Sequence, residues 1–389
     1  HGRILGVTSG SGWRPADTGA YGCAKRAVAS LTWQLGRAAP PGVTINAISP
    51  IAVTRMVTAA LGRAPQAAGP GGSSATGGLS LGSMPDPSEL GPLGAHLVSE
   101  GFDWCSGQVI FTGGSEVAVV EAPRMLEVIR TEPATSLPHL LDTVTAGALI
   151  PAEEAQATTG GSNPRFPGAH DEADHDGLPS VVRTCAVVAD RPEATSAIVT
   201  ALEARGVTCE VVAGADPGAL PAVDGVVLAL DGGSASDAPA DWVRTLAEHS
   251  GIVEQIHRDA AWARAVADRA AAERPMRLVT LTDATTAGGR SRAQAAAQHA
   301  RASRRATKDA VAAFAVSVEA PSAVTAELAA HLLCREAAGA LSGAELVVGD
   351  GWFGLRSHPH PIGSITLGGA EVPRWFDDAL REVIGMAAP

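Results

Sequence analysis

The sequence RILGVTSGSG at residues 3–12 decides the fold class. Its apolar run is typical of a buried strand, and its Ser- and Gly-rich end is typical of the loop that follows one. Apolar residues at helical spacing come next, over residues 21–35, and the pattern stops at GRAAPP, residues 36–41. Residues 43–48 (VTINAI) repeat the buried-strand pattern. Strand, helix and strand in this order predict an α/β protein whose parallel sheet carries helices on both faces.

The chain also contains an internal repeat. Residues 3–12 resemble residues 277–286 (RLVTLTDATT), and residues 93–111 resemble residues 328–348 in an L-x-A-H-L sequence, a Ser-Gly pair and a strand. Because both matches occur in the same order, we expect residues 181–389 to repeat the architecture of residues 1–150. The polar residues 151–180, rich in Gly and Asp, are expected to link the two units.

The remaining apolar segments extend the alternation of strands and helices along both units. We predict strands at residues 108–111, 184–189, 207–212, 224–230, 276–282, 313–318 and 345–348, and helices at residues 89–99, 193–205, 240–273, 291–312, 324–337 and 371–386. The Gly- and Ser-rich residues 62–87 are predicted to form a loop.

Three side chains of the first unit, Ser9, Tyr21 and Lys25, form a pattern with chemical meaning. Tyr21 and Lys25 are i and i+4 on one predicted helix, so they share a face. A lysine ammonium beside a phenol stabilises the phenolate, and such a phenol exchanges a proton with a carbonyl or alcohol oxygen. A serine at the end of the preceding strand can hold the same oxygen. Taken alone, a Tyr and a Lys at this spacing are more often part of an ordinary surface helix, so the surrounding sequence decides.

That surrounding sequence, residues 2–56, resembles the short-chain dehydrogenase/reductase family. The resemblance rests on Ser9, on the Y-x-x-x-K of Tyr21 and Lys25, and on an N-x-x-x-P motif from Asn46 to Pro50. Residues 106–117 (SGQVIFTGGSEV) resemble the family's last strand. The wording NAISPIAVTRM is closest to the branch of ketoreductases and 3-hydroxyacyl-CoA or hydroxysteroid dehydrogenases.

The resemblance implies two Rossmann-like, doubly wound parallel sheets, a nicotinamide cofactor (NADP or NAD), and the interconversion of a ketone and a secondary alcohol. Ser9 would orient the substrate oxygen, Tyr21 would be the acid/base, and Lys25 would assist Tyr21 and bind the nicotinamide ribose. The substrate would be an acyl thioester or a polyketide- or steroid-like ketone, covered by the loop at residues 62–87.

The family pattern also implies which residues line the cofactor: Tyr21, Lys25, Pro50, Ile51, Val53 and Thr54. The backbone of residues 51–53 would meet the carboxamide, and Thr54 would lie near the pyrophosphate. Two departures stand out. Ser9 and Tyr21 are one position closer than the commonest family spacing, which leaves Ser11 open as a helper. Ile51 stands where many members carry Gly.

The family's first strands and its glycine-rich phosphate-binding turn have no counterpart before Ser9 in this sequence. Those elements bind the adenosine and the pyrophosphate. We therefore expect residues 1–150 to be the carboxyl-terminal half of a catalytic unit. The missing half would lie on the same precursor or on another chain.

The second unit is predicted to be catalytically blank. Asp190-Arg191-Pro192-Glu193 replaces the glycine turn, and a carboxylate there repels phosphate. Asp283 aligns with Ser9, and the Tyr and Lys positions fall near Gln294 and Gln298. Residues 288–289 and 232–233, both Gly-Gly, are predicted to be turns.

A blank unit can still act as a permanent partner for the active one. Family members commonly pair through a four-helix bundle, and residues 240–273 and 291–312 would supply that face here; homo- or hetero-oligomers are further options. Two alternatives to an enzyme remain open: a scaffold or pseudo-enzyme subunit that pairs with an active relative, and a module that senses NADPH without turnover.

Composition narrows the class of protein. The net charge is -12 and no basic stripe is visible, which disfavours nucleic acid as a partner. No apolar run approaches the length of a membrane span. The five cysteines are scattered, which predicts reduced thiols in a cytoplasmic protein. His358 and His360 lack further ligands at metal spacing, so we predict no metal site.

Overall fold

The computed structural model describes residues 1–15, 19–55, 57–59, 84–132, 136–159, 167–170, 179–212, 216–233, 235–239 and 241–387. It is an α/β protein with two mixed, Rossmann-like sheets of mostly parallel strands, flanked by helices. The predicted fold class is confirmed. The predicted loop at residues 62–87 lies mostly outside the described residues.

The first sheet has the strand order β1-β2-β3-β4-β13. Strands β1 to β3 run parallel, and β4 and β13 each pair antiparallel with their neighbour. The strands are β1 (Gly2–Val7), β2 (Val43–Pro50), β3 (Val109–Gly113), β4 (Glu116–Glu121) and β13 (His360–Thr366).

The second sheet has the order β5-β12-β11-β10-β9-β8-β6-β7. Its five strands β6 to β10 and strand β11 are parallel, whereas β12 and β5 are antiparallel additions at one edge. The strands are β5 (Met125–Arg130), β6 (Thr184–Ala189), β7 (Thr208–Val212), β8 (Gly225–Ala229), β9 (Met276–Asp283), β10 (Val311–Val318), β11 (Glu345–Gly349) and β12 (Trp352–Arg356).

The helices cover the sheets with Ala-, Leu- and Val-rich faces. They are α1 (Gly19–Ala38), α2 (Gly91–Leu97), α3 (Leu137–Val144), α4 (Ile150–Ala155), α5 (Pro192–Glu203), α6 (Trp242–Glu248), α7 (Ile252–Arg269), α8 (Ala287–Ala306), α9 (Val324–Cys334) and α10 (Phe376–Ala387). A π-helical turn, Thr145–Leu149, joins α3 to α4. The helix predicted at residues 240–273 is two helices, because Gly251 between them has a positive φ of 75°.

The two repeats exchange their last strands. In each repeat a tight hairpin follows the last parallel strand, with a positive-φ glycine at the turn, Gly114 or Gly351. The next strand then leaves for the other sheet: β5 pairs with β12, and β13 pairs with β4. The boundary that the sequence predicts at residue 150 therefore does not coincide with the boundary between the sheets, since β5, α3 and α4 belong to the second core and β13 and α10 to the first.

A histidine–aspartate contact on each side holds the exchanged segments. His96 of α2 contacts Asp377 of α10, with Nε2 and Oδ1 2.6 Å apart. The repeat-equivalent His331 of α9 contacts Asp142 of α3, with Nδ1 and Oδ1 3.3 Å apart. The L-x-A-H-L histidines are thus packing residues in both repeats, and each holds the extension of the other repeat.

The buried histidine His331 makes stability depend on pH. Burial lowers the pKa of His331 in the folded protein below the usual value of 6.5. The unfolded chain therefore takes up a proton first as the pH falls through about 6.5, so stability is full above that pH and is lost below it. We expect His331→Asn to reduce this loss by up to about 1.4 kcal/mol per pH unit.

Chemical denaturation at pH 7.5 and pH 5.5 measures this difference. The matched control is His257→Asn, at an exposed position of α7, which should leave the slope unchanged. An equal slope in wild type and His331→Asn would show that the buried imidazole does not carry this proton linkage.

Helices α1 and α8 pack along each other and join the two repeats. Cys23 and Ala27 of α1 meet Ile256 of α7 and Ala295 of α8. Residues 240–273 and 291–312, which the sequence analysis assigned to the face of a permanent partner, therefore contact α1. The turn predicted at residues 288–289 was wrong, because Gly288 lies in the first turn of α8. A Cβ at Gly288 would sit 1.9 Å from the Glu248 carbonyl oxygen.

Candidate active site

The residues of the Ser-Tyr-Lys pattern lie at the carboxyl end of β1. Ser9 lies two residues after the end of this strand, and Tyr21 and Lys25 lie in the first turns of α1. Ligands of open parallel sheets bind at this end of the strands, where loops and helix starts converge. The fold therefore places the sequence-predicted triad at the edge where chemistry is expected.

Ser9 is held in one orientation by the short turn that follows it. It is the N-cap of the turn Gly10–Gly12, and its Oγ accepts a hydrogen bond from the Ser11 backbone N–H at 3.3 Å. This bond uses a lone pair and leaves the hydroxyl hydrogen of Ser9 available to donate. Ser11 contributes its backbone to the turn, so the geometry favours Ser9 as the group that holds a substrate oxygen.

Lys25 connects the helix to the end of β1. Its Nζ donates to the Val7 carbonyl oxygen at 2.9 Å and lies 5.5 Å from the centre of the Tyr21 ring. The Thr8 hydroxyl donates to the Lys25 carbonyl oxygen at 2.6 Å. Two N–H groups of the ammonium remain after the bond to Val7. The Tyr21 side chain is 49% exposed, so its phenol is accessible to a ligand.

The N-x-x-x-P motif stabilises the sheet. Asn46 is buried, donates from Nδ2 to the Cys105 carbonyl oxygen at 2.9 Å, and accepts at Oδ1 from the Gln108 N–H at 2.9 Å. This amide clamps β2 to the segment that enters β3. Pro50 ends β2 and sets the direction of the loop that follows.

Two backbone N–H groups of the predicted cofactor-lining loop already have partners. The Ile51 N–H donates to the Thr112 carbonyl oxygen and the Val53 N–H to the Pro85 carbonyl oxygen, both at 2.9 Å. The Thr54 Oγ1 accepts from the Val57 N–H at 3.2 Å. A carboxamide at this loop would therefore not find the N–H groups of Ile51 and Val53 free. Lys25 and Ser9, in contrast, keep hydrogen-bond donors that are free to bind a ligand.

The second repeat holds the loop between β1 and α1. Gln298 of α8 donates from Nε2 to the Ser11 carbonyl oxygen at 2.9 Å and to the Arg14 carbonyl oxygen at 2.8 Å. Arg301 of the same helix donates to the Trp13 carbonyl oxygen. These positioning contacts were not foreseen, because no local pattern reports a bond between side chains and a backbone almost three hundred residues away.

Strand β1 is an edge strand within the described ranges, where it pairs only with β2. Its side chains Ile4 and Val7 are 55% and 50% exposed. The repeat-equivalent Leu278 and Leu281 of β9 are 2% and 6% exposed, and there β8 pairs along the strand. The unpaired edge of β1 thus corresponds to the edge of β9 that pairs with β8 in the second sheet, where β6 and β7 continue the sheet.

The second repeat lacks the triad, although not at the positions predicted. Helices α1 and α8 both have 20 residues. When the two helices are aligned at their first residues, Tyr21 and Lys25 correspond to Gly289 and Ala293, whereas the sequence repeat places them near Gln294 and Gln298. Neither replacement carries a phenol or an ammonium.

Other features that might have carried chemistry have structural roles. His358 contacts Glu153 at 3.1 Å and His360 contacts Glu121 at 3.6 Å, so the two imidazoles face different carboxylates. Within the described parts of the chain, no group of His, Cys, Asp and Glu is arranged to hold a metal ion. Across the same residues, no helix combines the length and the apolar character needed to cross a bilayer.

Comparison with known proteins assigns no family. No protein-family model matches the chain. A search of curated proteins finds no significant match either. Any functional conclusion therefore rests on the sequence motifs and on the geometry described above.

Proposed function

We propose that the first repeat carries the active site of a short-chain dehydrogenase/reductase-type oxidoreductase. It would interconvert a ketone and a secondary alcohol with NADP or NAD. The observation that carries the proposal is the arrangement at the carboxyl end of β1. Lys25 binds the Val7 carbonyl oxygen and lies beside the Tyr21 ring, and Ser9 caps the turn that follows the strand. The substrate class that fits the motif wording is an acyl thioester or a polyketide- or steroid-like ketone.

The side chains divide the chemistry between them. A bound nicotinamide supplies or accepts the hydride. Tyr21 donates its hydroxyl proton to the substrate oxygen in reduction and takes it back in oxidation. Lys25 stabilises the resulting phenolate and offers its remaining N–H groups to a ribose hydroxyl. The Ser9 hydroxyl donates to the same substrate oxygen and stabilises the charge that develops there.

The proposal includes a partner for β1. The described part of the first repeat offers no cradle for a pyrophosphate, and the exposed Ile4 and Val7 mark the strand edge where the second repeat carries β8. We propose that a nucleotide-binding unit, on the same precursor or on another chain, pairs in parallel with β1 and supplies the phosphate contacts. The second repeat then acts as a non-catalytic partner that holds the loop at residues 10–15.

The five free cysteines fit a reducing compartment, and we propose that the protein is cytoplasmic.

Ser9→Ala and Ser11→Ala form a matched pair that tests the site. In the complete assembly, Ser9→Ala should lower kcat for ketone reduction by about 10²–10³-fold, because one donor to the charged oxygen is lost. Ser11→Ala should change it by less than about tenfold, since Ser11 acts through its backbone. Steady-state kinetics with NADPH and NADH measure both. An equal effect of the two substitutions, or no effect of either, would refute the role given to Ser9.

A further inference from the structure

A crevice opens in the second repeat at the carboxyl ends of β6, β8, β9 and β10. It has a volume of about 340 Å³ and lies between the start of α5 and the start of α9. This volume falls within the range of about 300–1,000 Å³ that small-molecule sites occupy. The crevice sits over Asp283, the residue that stands where the first repeat has Ser9. The blank repeat has therefore kept a cavity at the edge of the sheet where ligands bind.

The wall of this crevice is hydrocarbon. Ala194, Ile198, Leu230, Leu281 and Val318 contribute to it. Small alanine side chains on α5 leave the space that larger residues would fill. A ligand that occupies the crevice therefore gains mainly by burying apolar surface, at about 25 cal/mol per Å².

The charges at the rim oppose a phosphate. Within the described lining the only cation is Arg191, which stands with the carboxylates Glu193 and Asp283. The Arg191 guanidinium is already paired, at 2.8 Å with Asp231 and 3.6 Å with Asp283. Pro192, the first residue of α5, has no N–H to offer. A dinucleotide would meet excess negative charge at this rim, and the first helical position offers it no N–H.

One polar atom in the lining remains without a partner. The Thr325 Oγ1 is buried and makes no hydrogen bond with any described residue. A buried hydroxyl in this state is costly unless a ligand or water pairs with it. Rotation about the Thr325 Cα–Cβ bond would turn this shielded hydroxyl into the crevice, where it would supply a single hydrogen bond to a ligand that is otherwise apolar.

We infer that the crevice of the second repeat binds an uncharged, hydrocarbon-rich small molecule with one hydrogen-bonding group, and does not bind a dinucleotide. The degenerate repeat would then be a ligand-binding unit as well as a partner for the first repeat. This inference does not depend on catalysis by Ser9, Tyr21 and Lys25, because none of these residues lines the crevice.

Fluorescence titration with 1-aminoanthracene, an uncharged aromatic probe, tests the inference on the intact protein. Wild type should bind the probe saturably. Ala194→Phe fills the crevice from α5 and should weaken binding by about tenfold or more. The matched control is Ser196→Phe, on the exposed side of the same helix, which should retain wild-type affinity. Ala197→Phe provides a second crevice-filling variant at an exposed position, where folding is not at risk.

The probe experiment also separates the ligand classes. NADH added in excess should leave the bound probe in place, whereas a neutral hydrophobic competitor such as progesterone should displace it. Equal probe affinity in wild type, Ala194→Phe and Ala197→Phe would overturn the inference. So would displacement of the probe by NADH that both Phe variants abolish, since that result would assign the crevice to a dinucleotide.

Discussion

Tyr21→Phe is expected to lower turnover of the complete assembly by about 10²–10⁴-fold, because the substitution removes the only group proposed to transfer the proton. Phenylalanine keeps the ring that lies 5.5 Å from the Lys25 Nζ, and it removes only the hydroxyl. The side chain is half exposed, so the fold should be unaffected. Ketone reduction under saturating cofactor measures the change in kcat, and cofactor binding should be retained.

A control for this experiment comes from an aromatic residue of similar exposure. Trp375→Phe, which changes an exposed ring far along the chain, should leave turnover unchanged. If Tyr21→Phe also turned over at the wild-type rate, the phenol would not be the acid. The protein would then be better explained as a scaffold that pairs with an active relative. Retained cofactor binding in an assembly that never turns over would instead support a module that senses NADPH.

Arg26→Met is expected to lower the free energy of unfolding by about 3–5 kcal/mol, the cost of leaving a buried charge without its partner. The Arg26 side chain is fully buried, and its Nη2 lies 2.5 Å from Oε2 of Glu345. Its Nε donates to Gln294 at 2.9 Å, and Gln294 in turn donates to Glu345. Burial lowers the pKa of Arg26, whereas the Glu345 carboxylate opposes that shift. The substitution therefore leaves the buried Glu345 carboxylate without a cationic partner at the contact between the two repeats.

The double variant Arg26→Met/Glu345→Gln separates the lost pair from the lost packing. It should recover most of the stability, because no buried charge remains and the new side-chain amide can still accept a hydrogen bond from Gln294. Arg37→Met, on an exposed turn of the same helix, is the matched control and should cost less than about 0.5 kcal/mol. Urea denaturation measures all three variants. A loss below about 1 kcal/mol in Arg26→Met would contradict the assignment of this ion pair to the fully buried interior.

Local patterns were sufficient to predict most of the parallel strands and the internal repeat. The apolar runs at residues 184–189 and 313–318 form strands because each is short, rich in Val and Ala, and followed by an acidic residue, Asp190 or Glu319. The exchange of β5 and β13 was not predictable in the same way. A strand with alternating exposure, such as β5 with the sequence MLEVIR, fits the edge of either sheet. Which sheet it joins depends on contacts more than two hundred residues away.

The candidate site shows the same division. Ser9, Tyr21 and Lys25 could be predicted as candidates from sequence because they lie close together in the chain and their spacing has a chemical meaning. Gln298 and Arg301 could not, since their role depends on how α8 lies against the loop at residues 10–15. The glycine pair at residues 288–289 was misread as a turn, because close contact between a helix and a neighbouring carbonyl leaves the same signature in a sequence as a tight turn does.

Native mass spectrometry of the protein isolated from its source tests the central claim most directly. The account predicts a species heavier than 39.3 kDa, with an additional segment or chain of roughly 120–180 residues, half or more of a typical domain, and with a bound nicotinamide cofactor. A species of 39.3 kDa, or a plain multiple of it, without cofactor would contradict the claim that a nucleotide-binding unit completes the site at β1.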